Sequence, residues 1–163
     1  MARKCFYSFH YDPDNWRASQ VRNMGVIEGN QPVSDNDWES VKKGGDQAIR
    51  NWINGQMSGR SCTVLLIGAN TAGRKWIKYE IEKTWNDKKG IVGVYIHNLK
   101  NKDGYQAARG ANPLLDFNLN GTPLSSIVRA YDPPYSSSVD VYDYIKKNLS
   151  AWTDEAVAIR NKY

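Results

Sequence analysis

Three apolar runs stand out from an otherwise polar chain: "KCFYSFH" (residues 4–10), "SCTVLLIGA" (residues 61–69) and "GIVGVYIHN" (residues 90–98). None alternates cleanly between apolar and polar positions. They read as strands buried on both faces, the pattern of a parallel sheet covered by helices. Between and after them the apolar period lengthens. "GDQAIRNWINGQM" spaces Ala48, Ile49, Trp52, Ile53 and Met57 as a helix does. "GRKWIKYEIEKTW" repeats Ile77, Ile81 and Trp85 at four-residue intervals, and the C-terminal segment places Tyr142, Ile145, Leu149, Trp152 and Ala156 on one face.

The first run ends in "YDPDN", whose Asp12, Pro13 and Asp14 predict a turn, with a short helix over Trp16 to Asn23. "VIEGNQPVSDND" reads as loop, and "SDNDWESVKK" carries cap-type residues ahead of a helical turn. Residues 99–138 look irregular, with a short strand at "SSIVRAY". Strands alternating with amphipathic helices predict an α/β domain with a parallel sheet. No repeat or linker interrupts the chain, so residues 1–163 are expected to form a single domain. Such sheets bind ligands beyond the carboxyl ends of their strands, which directs attention to the residues after "FYSFH", "LLIGA" and "VYIHN".

Composition narrows the class. With 40% hydrophobic and 24% charged residues the chain is globular in type, and no apolar run approaches the roughly 18 residues of a spanning helix. The N-terminus lacks an apolar leader segment, so no signal peptide and a cytoplasmic location are expected. Cys5 and Cys62 each lie in an apolar run and read as buried small hydrophobes. No CxxC or Cys/His cluster suggests a metal site. The net charge of +5 is spread over short basic pairs, which suits an anionic partner without separating nucleotide from nucleic acid.

The informative helix is the one at Gly73 to Trp85. Trp76 and Glu80 form a stripe about a quarter-turn from Ile77, Ile81 and Trp85. A carboxyl there lies at the edge of the core beside an aromatic ring, where partial desolvation and a fixed rotamer equip it for chemistry. The plain alternative is a surface glutamate paired with Lys83 or Lys75. "GANTAGRKW" has the glycine separation of a phosphate-binding loop, but Arg74 replaces the required lysine and no Ser or Thr follows to hold magnesium. Ser8, Phe9, His10 and Tyr11 gather at the end of the first strand, and Asp37, Trp38 and Glu39 precede the second helix. There is no G-x-S-x-G element.

Taken together, these pieces resemble one family. "KCFYSFHYD" is similar to the first strand and loop of TIR domains, and "VLLIGANTAGRKWIKYEIEKT" to their central strand and glutamate-bearing helix. The segments "YSFHY", "DWE", "WINGQ" and "LIGANTAGRKWIKYEI" resemble, in the same order over residues 4–98, the TIR-like proteins of Thoeris anti-phage systems; "GANP" at Gly110 to Pro113 fits more loosely. The Arg-rich, acidic loop of animal TIR domains has no counterpart here. The resemblance implies a flavodoxin-like, three-layer α/β sandwich with a mainly parallel sheet. It implies NAD+ as substrate rather than cofactor, Glu80 as the catalytic carboxylate, Trp76 before it, and Ser8, Phe9 and His10 beside the nicotinamide end, with Trp38 a weaker carry-over. It further implies a cyclic ADP-ribose isomer as an anti-phage signal for a separate effector protein, and active sites often completed by a second copy. No membrane partner is expected and nucleic acid is disfavoured. A non-catalytic TIR-like interaction module is the alternative.

Overall fold

The computed structural model describes residues 3–30 and 40–163, so the candidate Trp38, with Asp37 and Glu39, lies outside the described residues. Strand β1 (Cys5–Ser8) is followed by α1 (Tyr11–Arg22), α2 (Gly45–Met57), β2 (Cys62–Ile67), α3 (Lys75–Asn86) and β3 (Gly90–Tyr95). Short strands β4 (Asn118–Leu119), β5 (Thr122–Pro123) and β6 (Ala130–Tyr131) precede the long C-terminal helix α4 (Ser138–Arg160).

The main sheet runs β1-β2-β3-β6 with every pairing parallel. Each strand of β1, β2 and β3 is buried along its whole length, as the uninterrupted apolar runs require. Side chains alternate between two layers. Cys5, Tyr7, Val64, Leu66, Val92 and Val94 pack on α1 and α4, whose Val21, Ile145, Leu149 and Trp152 join the same core. Leu65, Ile67, Ile91 and Tyr95 face Ile77 and Ile81 of α3, and Phe6 meets Ile49, Ile53 and Met57 of α2. The period of two therefore sends Ser8, like Phe6, toward the layer that holds α2 and α3.

After α1 the chain returns along the outer side of β1. Lys4 and Glu28 form a parallel bridge, and the Asn30 side chain accepts the Tyr7 backbone N–H at 2.9 Å. One connection thus leaves β1 outward and the next crosses to β2 on its other side. The carboxyl ends of β1 and β2 flank a topological switch point, where doubly wound sheets open a crevice.

Four local expectations need correction. "YDPDN" is the first turn of α1, which starts at Tyr11. Proline is tolerated there because its missing N–H has no partner to lose, and Asp12 and Asp14 suit the positive end of the helix dipole. The third strand stops at Tyr95 rather than Asn98. Trp85 is only half-buried; the Arg160 guanidinium lies 4.2 Å from its ring centroid and donates to its carbonyl. The irregular stretch contains a hairpin. Leu119 pairs with Thr122 across Asn120 and Gly121, both at positive φ (51° and 84°), as a two-residue primed turn demands.

"GANP" also acquires a physical reading. A Cβ on Gly110 would meet the carbonyl oxygens of Gly68 and Ala69 at 2.2 and 2.6 Å, so only glycine lets this loop rest on the end of β2. Asn112 then caps the following 3-10 turn by accepting the Leu114 N–H, with Pro113 at its first position.

Candidate active site

α3 turns Ile77, Glu80, Ile81 and Thr84 inward. Glu80 is deeper than an edge position: it is 7% exposed and makes no ion pair with Lys83 or Lys75, which are engaged by Asp87 and Asp46. The Ser8 hydroxyl donates to Glu80 Oε1 at 2.6 Å. One turn on, Thr84 Oγ1 donates to the Glu80 carbonyl at 2.6 Å and shares a 2.8 Å hydrogen bond with Thr63 of β2. These contacts fix α3 against the sheet and set the rotamer of the carboxyl. Oε2 has no hydrogen-bond partner among the described residues.

Burial pushes the Glu80 carboxyl up to about 8, against the opposing pull of the Ser8 hydrogen bond. A carboxyl raised that far is mostly protonated at neutral pH. A cation arriving beside it favours the ionised form and expels the proton.

Glu80 lines a cleft of about 330 Å³, near the lower end of the roughly 300–1,000 Å³ typical of small-molecule sites. Phe9, Tyr11, Trp52 and Trp76 supply aromatic lining, and Phe6, Ile53 and Ile77 add apolar surface. Trp76 is half-buried, packs edge-on against Tyr79 at 5.8 Å, and carries the Lys75 ammonium 4.9 Å from its ring centroid. Tyr79 is pinned in turn by a 2.7 Å hydrogen bond to Asn54 of α2. Phe9 stacks on Tyr11 with centroids 6.2 Å apart.

His10 occupies the N-cap position of α1, and its Nδ1 is buried without a hydrogen-bond partner among the described residues. Burial first, and the Arg74 charge second, hold its imidazole below the ordinary histidine value, with Asp12 opposing. A neutral imidazole can accept or donate a hydrogen bond without repelling a cationic ring.

The structure thus brings Ser8, Phe9, His10, Trp76 and Glu80 to one place, Ser8 behind the carboxyl and the others on the cleft surface. Sequence reasoning missed Trp52, Arg22 and Asn30 as cleft residues. Trp52 was accessible, since it stands at the head of the "WINGQ" segment. Nothing local in the sequence marks Arg22 or Asn30. Among the described residues no cluster of His, Cys, Asp and Glu could hold a metal ion, and no helix is long and apolar enough to cross a membrane.

A parallel sheet with helices packed on both faces is the flavodoxin-like α/β architecture of a TIR-type domain. Residues 6–101 match the family described as Thoeris protein ThsB, TIR-like domain, and the chain belongs to that family. It is 38% identical over 118 residues to a Bacillus cereus (strain MSX-D12) protein named "Putative cyclic ADP-D-ribose synthase ThsB1". That match covers 69% of this chain and 62% of the relative, so the chain spans less than two thirds of the relative's length.

Proposed function

We propose that this protein cleaves the nicotinamide–ribose bond of NAD+ and closes the remainder into a cyclic ADP-ribose isomer, a signal that activates a separate effector during phage infection. The observation that carries the reading is Glu80 itself, a buried carboxyl oriented by Ser8 at the cleft surface among aromatic rings. When the C1′–N bond breaks, its electron pair leaves with nicotinamide and neutralises the pyridinium. Positive charge then builds on the ribose carbon, as in glycoside hydrolysis. A carboxylate beside that carbon stabilises the charge, and the leaving group needs no general acid. The positive nicotinamide ring of the substrate ionises Glu80 on arrival. Phe9, His10 and Trp76 are the residues that would surround this end of the substrate.

Attack on the ribose carbon by water gives ADP-ribose; attack by the adenine or a ribose hydroxyl gives a ring. Aromatic side chains that exclude water and fold the dinucleotide favour the second course. The relative's name, "Putative cyclic ADP-D-ribose synthase ThsB1", supports the same outcome. Incubation with NAD+, product analysis by mass spectrometry, and comparison with Glu80→Gln test the proposal. Loss of nicotinamide release in the variant is expected, and equal turnover would overturn the role of Glu80.

A non-catalytic interaction module is the second reading. Its support is the burial of Glu80 and its hydrogen bond to Ser8, which a purely structural carboxyl would also show. It predicts no turnover at any pH.

A further inference from the structure

We propose that Arg22 is the anion-recognising residue of the cleft, and that it receives the diphosphate of a dinucleotide. The identity of the substrate rests on the NAD+ reading; the anion site does not need turnover to be tested.

Arg22 closes the last turn of α1 and lines the same cleft as Glu80. Its guanidinium carbon lies 5.8 Å from the Tyr7 ring centroid and 5.5 Å from that of Phe9, so two aromatic faces hold it in place. Nε and Nη1 are closed off from water and find no hydrogen-bond partner among the described residues. No carboxylate pairs with it among those residues either. Nη2 makes no hydrogen bond among the described residues and is the nitrogen assigned to the ligand.

A charged donor taken out of water without an acceptor is costly, and native proteins rarely keep one without a use. The other cations of the cleft are already committed: Lys75 to Asp46, Arg74 through Nε to the Asn70 carbonyl, and Lys42 to a partner of its own. Arg22 finds no acceptor for Nε or Nη1 among the described residues. Tyr7, whose ring Arg22 faces at 5.8 Å, also has a buried hydroxyl with no hydrogen-bond partner among the described residues. The two charged N–H donors of Nη2 suit phosphate oxygens better than any neutral group. Burial also pulls the guanidinium below its ordinary value, and a bound dianion would reverse that.

The experiment is calorimetric titration of the full chain with ADP and with adenosine. ADP is expected to bind at least about tenfold more tightly, and Arg22→Gln to lose about ten- to a hundredfold in ADP affinity while leaving adenosine unchanged. Arg22→Lys, which keeps charge without the fork, should fall between. Equal ADP affinity in wild type and Arg22→Gln, no preference for ADP over adenosine, or no ADP binding by the wild type would each overturn the proposal. Should Arg22→Gln fail to fold, phenylglyoxal labelling of the wild type, mapped to Arg22 by peptide mass spectrometry, serves instead. ADP should slow labelling at Arg22, and an unchanged rate refutes the assignment. Arg22-dependent ADP binding without NAD+ turnover would uphold this site and defeat the NAD+ reading; Glu80-dependent turnover with Arg22-independent ADP binding would do the reverse.

Discussion

Ser8 at the end of β1 and Glu80 in the middle of α3, 72 positions apart, are joined by a 2.6 Å buried hydrogen bond. The pair couples the first loop of the domain to its carboxyl. The bond favours ionisation, against the larger effect of burial. Ser8→Ala therefore raises the Glu80 value further. A charge-assisted bond of this kind is worth about 1.5–3 kcal/mol, so nicotinamide release at pH 7 should drop about tenfold or more. The pH profile of kcat/KM should move to higher pH, which separates this effect from simple misfolding.

In the wild type, kcat/KM for NAD+ should rise with pH through an apparent value near 8, the free-enzyme value of Glu80. The limb in kcat should lie lower, because the bound nicotinamide cation favours the carboxylate. Initial rates of nicotinamide release across pH 5–10 check both. A profile flat through pH 8 would show that Glu80 does not gate the reaction.

Stability should carry the opposite dependence. The carboxyl titrates at 4.5 when unperturbed and near 8 in the fold. Below about pH 4.5 both states hold the proton and the native fold keeps the full benefit. Between about 4.5 and 8 the unfolded chain releases a proton that the native chain retains, so stability falls as pH rises, then levels off. Glu80→Gln removes this loss. Its unfolding free energy should match wild type near pH 4 and exceed it at pH 9 by on the order of a few kcal/mol, read as a higher Tm at the higher pH.

Trp76→Ala opens the aromatic lining without touching the carboxyl. If exclusion of water directs the ring closure, the variant should release a larger share of linear ADP-ribose, read as a product ratio by mass spectrometry. An unchanged ratio at reduced rate would assign Trp76 to binding alone.

Gly110→Ala should destabilise by about 1–3 kcal/mol, since its methyl group meets two carbonyl oxygens at the end of β2. Thermal melting measures it.

Much of this architecture was legible in the sequence. The three buried runs gave β1, β2 and β3, and four-residue spacing gave α2, α3 and α4. One helical stripe placed Glu80 and Trp76 together at the edge of the core, and both line the cleft. The sequence understated how deep Glu80 lies, because the neighbour that allows it, Ser8, comes from a different strand and no helical period reports it. Trp85 was misplaced into the core for the reciprocal reason: Arg160, far along the chain, covers it from outside. Asp12, Pro13 and Asp14 favour turns and helix first turns alike, so only the continuing helix decided between them. The Asn120–Gly121 signal was present and went unread amid loop-rich neighbours. Arg22 and Asn30 became visible only when the return of the chain beside β1 placed them at the switch point.

Cys5 and Cys62 are register partners on adjacent strands, 0% and 1% exposed, and both are free thiols. The Cys62 thiol is raised well above its ordinary value, chiefly by its contact with Cys5 and by burial, which keeps it out of the nucleophilic thiolate form. The intact domain should therefore be silent toward an alkylating reagent. Each alkylation event then records a moment when β1 and β2 have parted, so this sheet carries a built-in clock for its own opening, and one that NAD+ should slow if the dinucleotide seats where these two strands end.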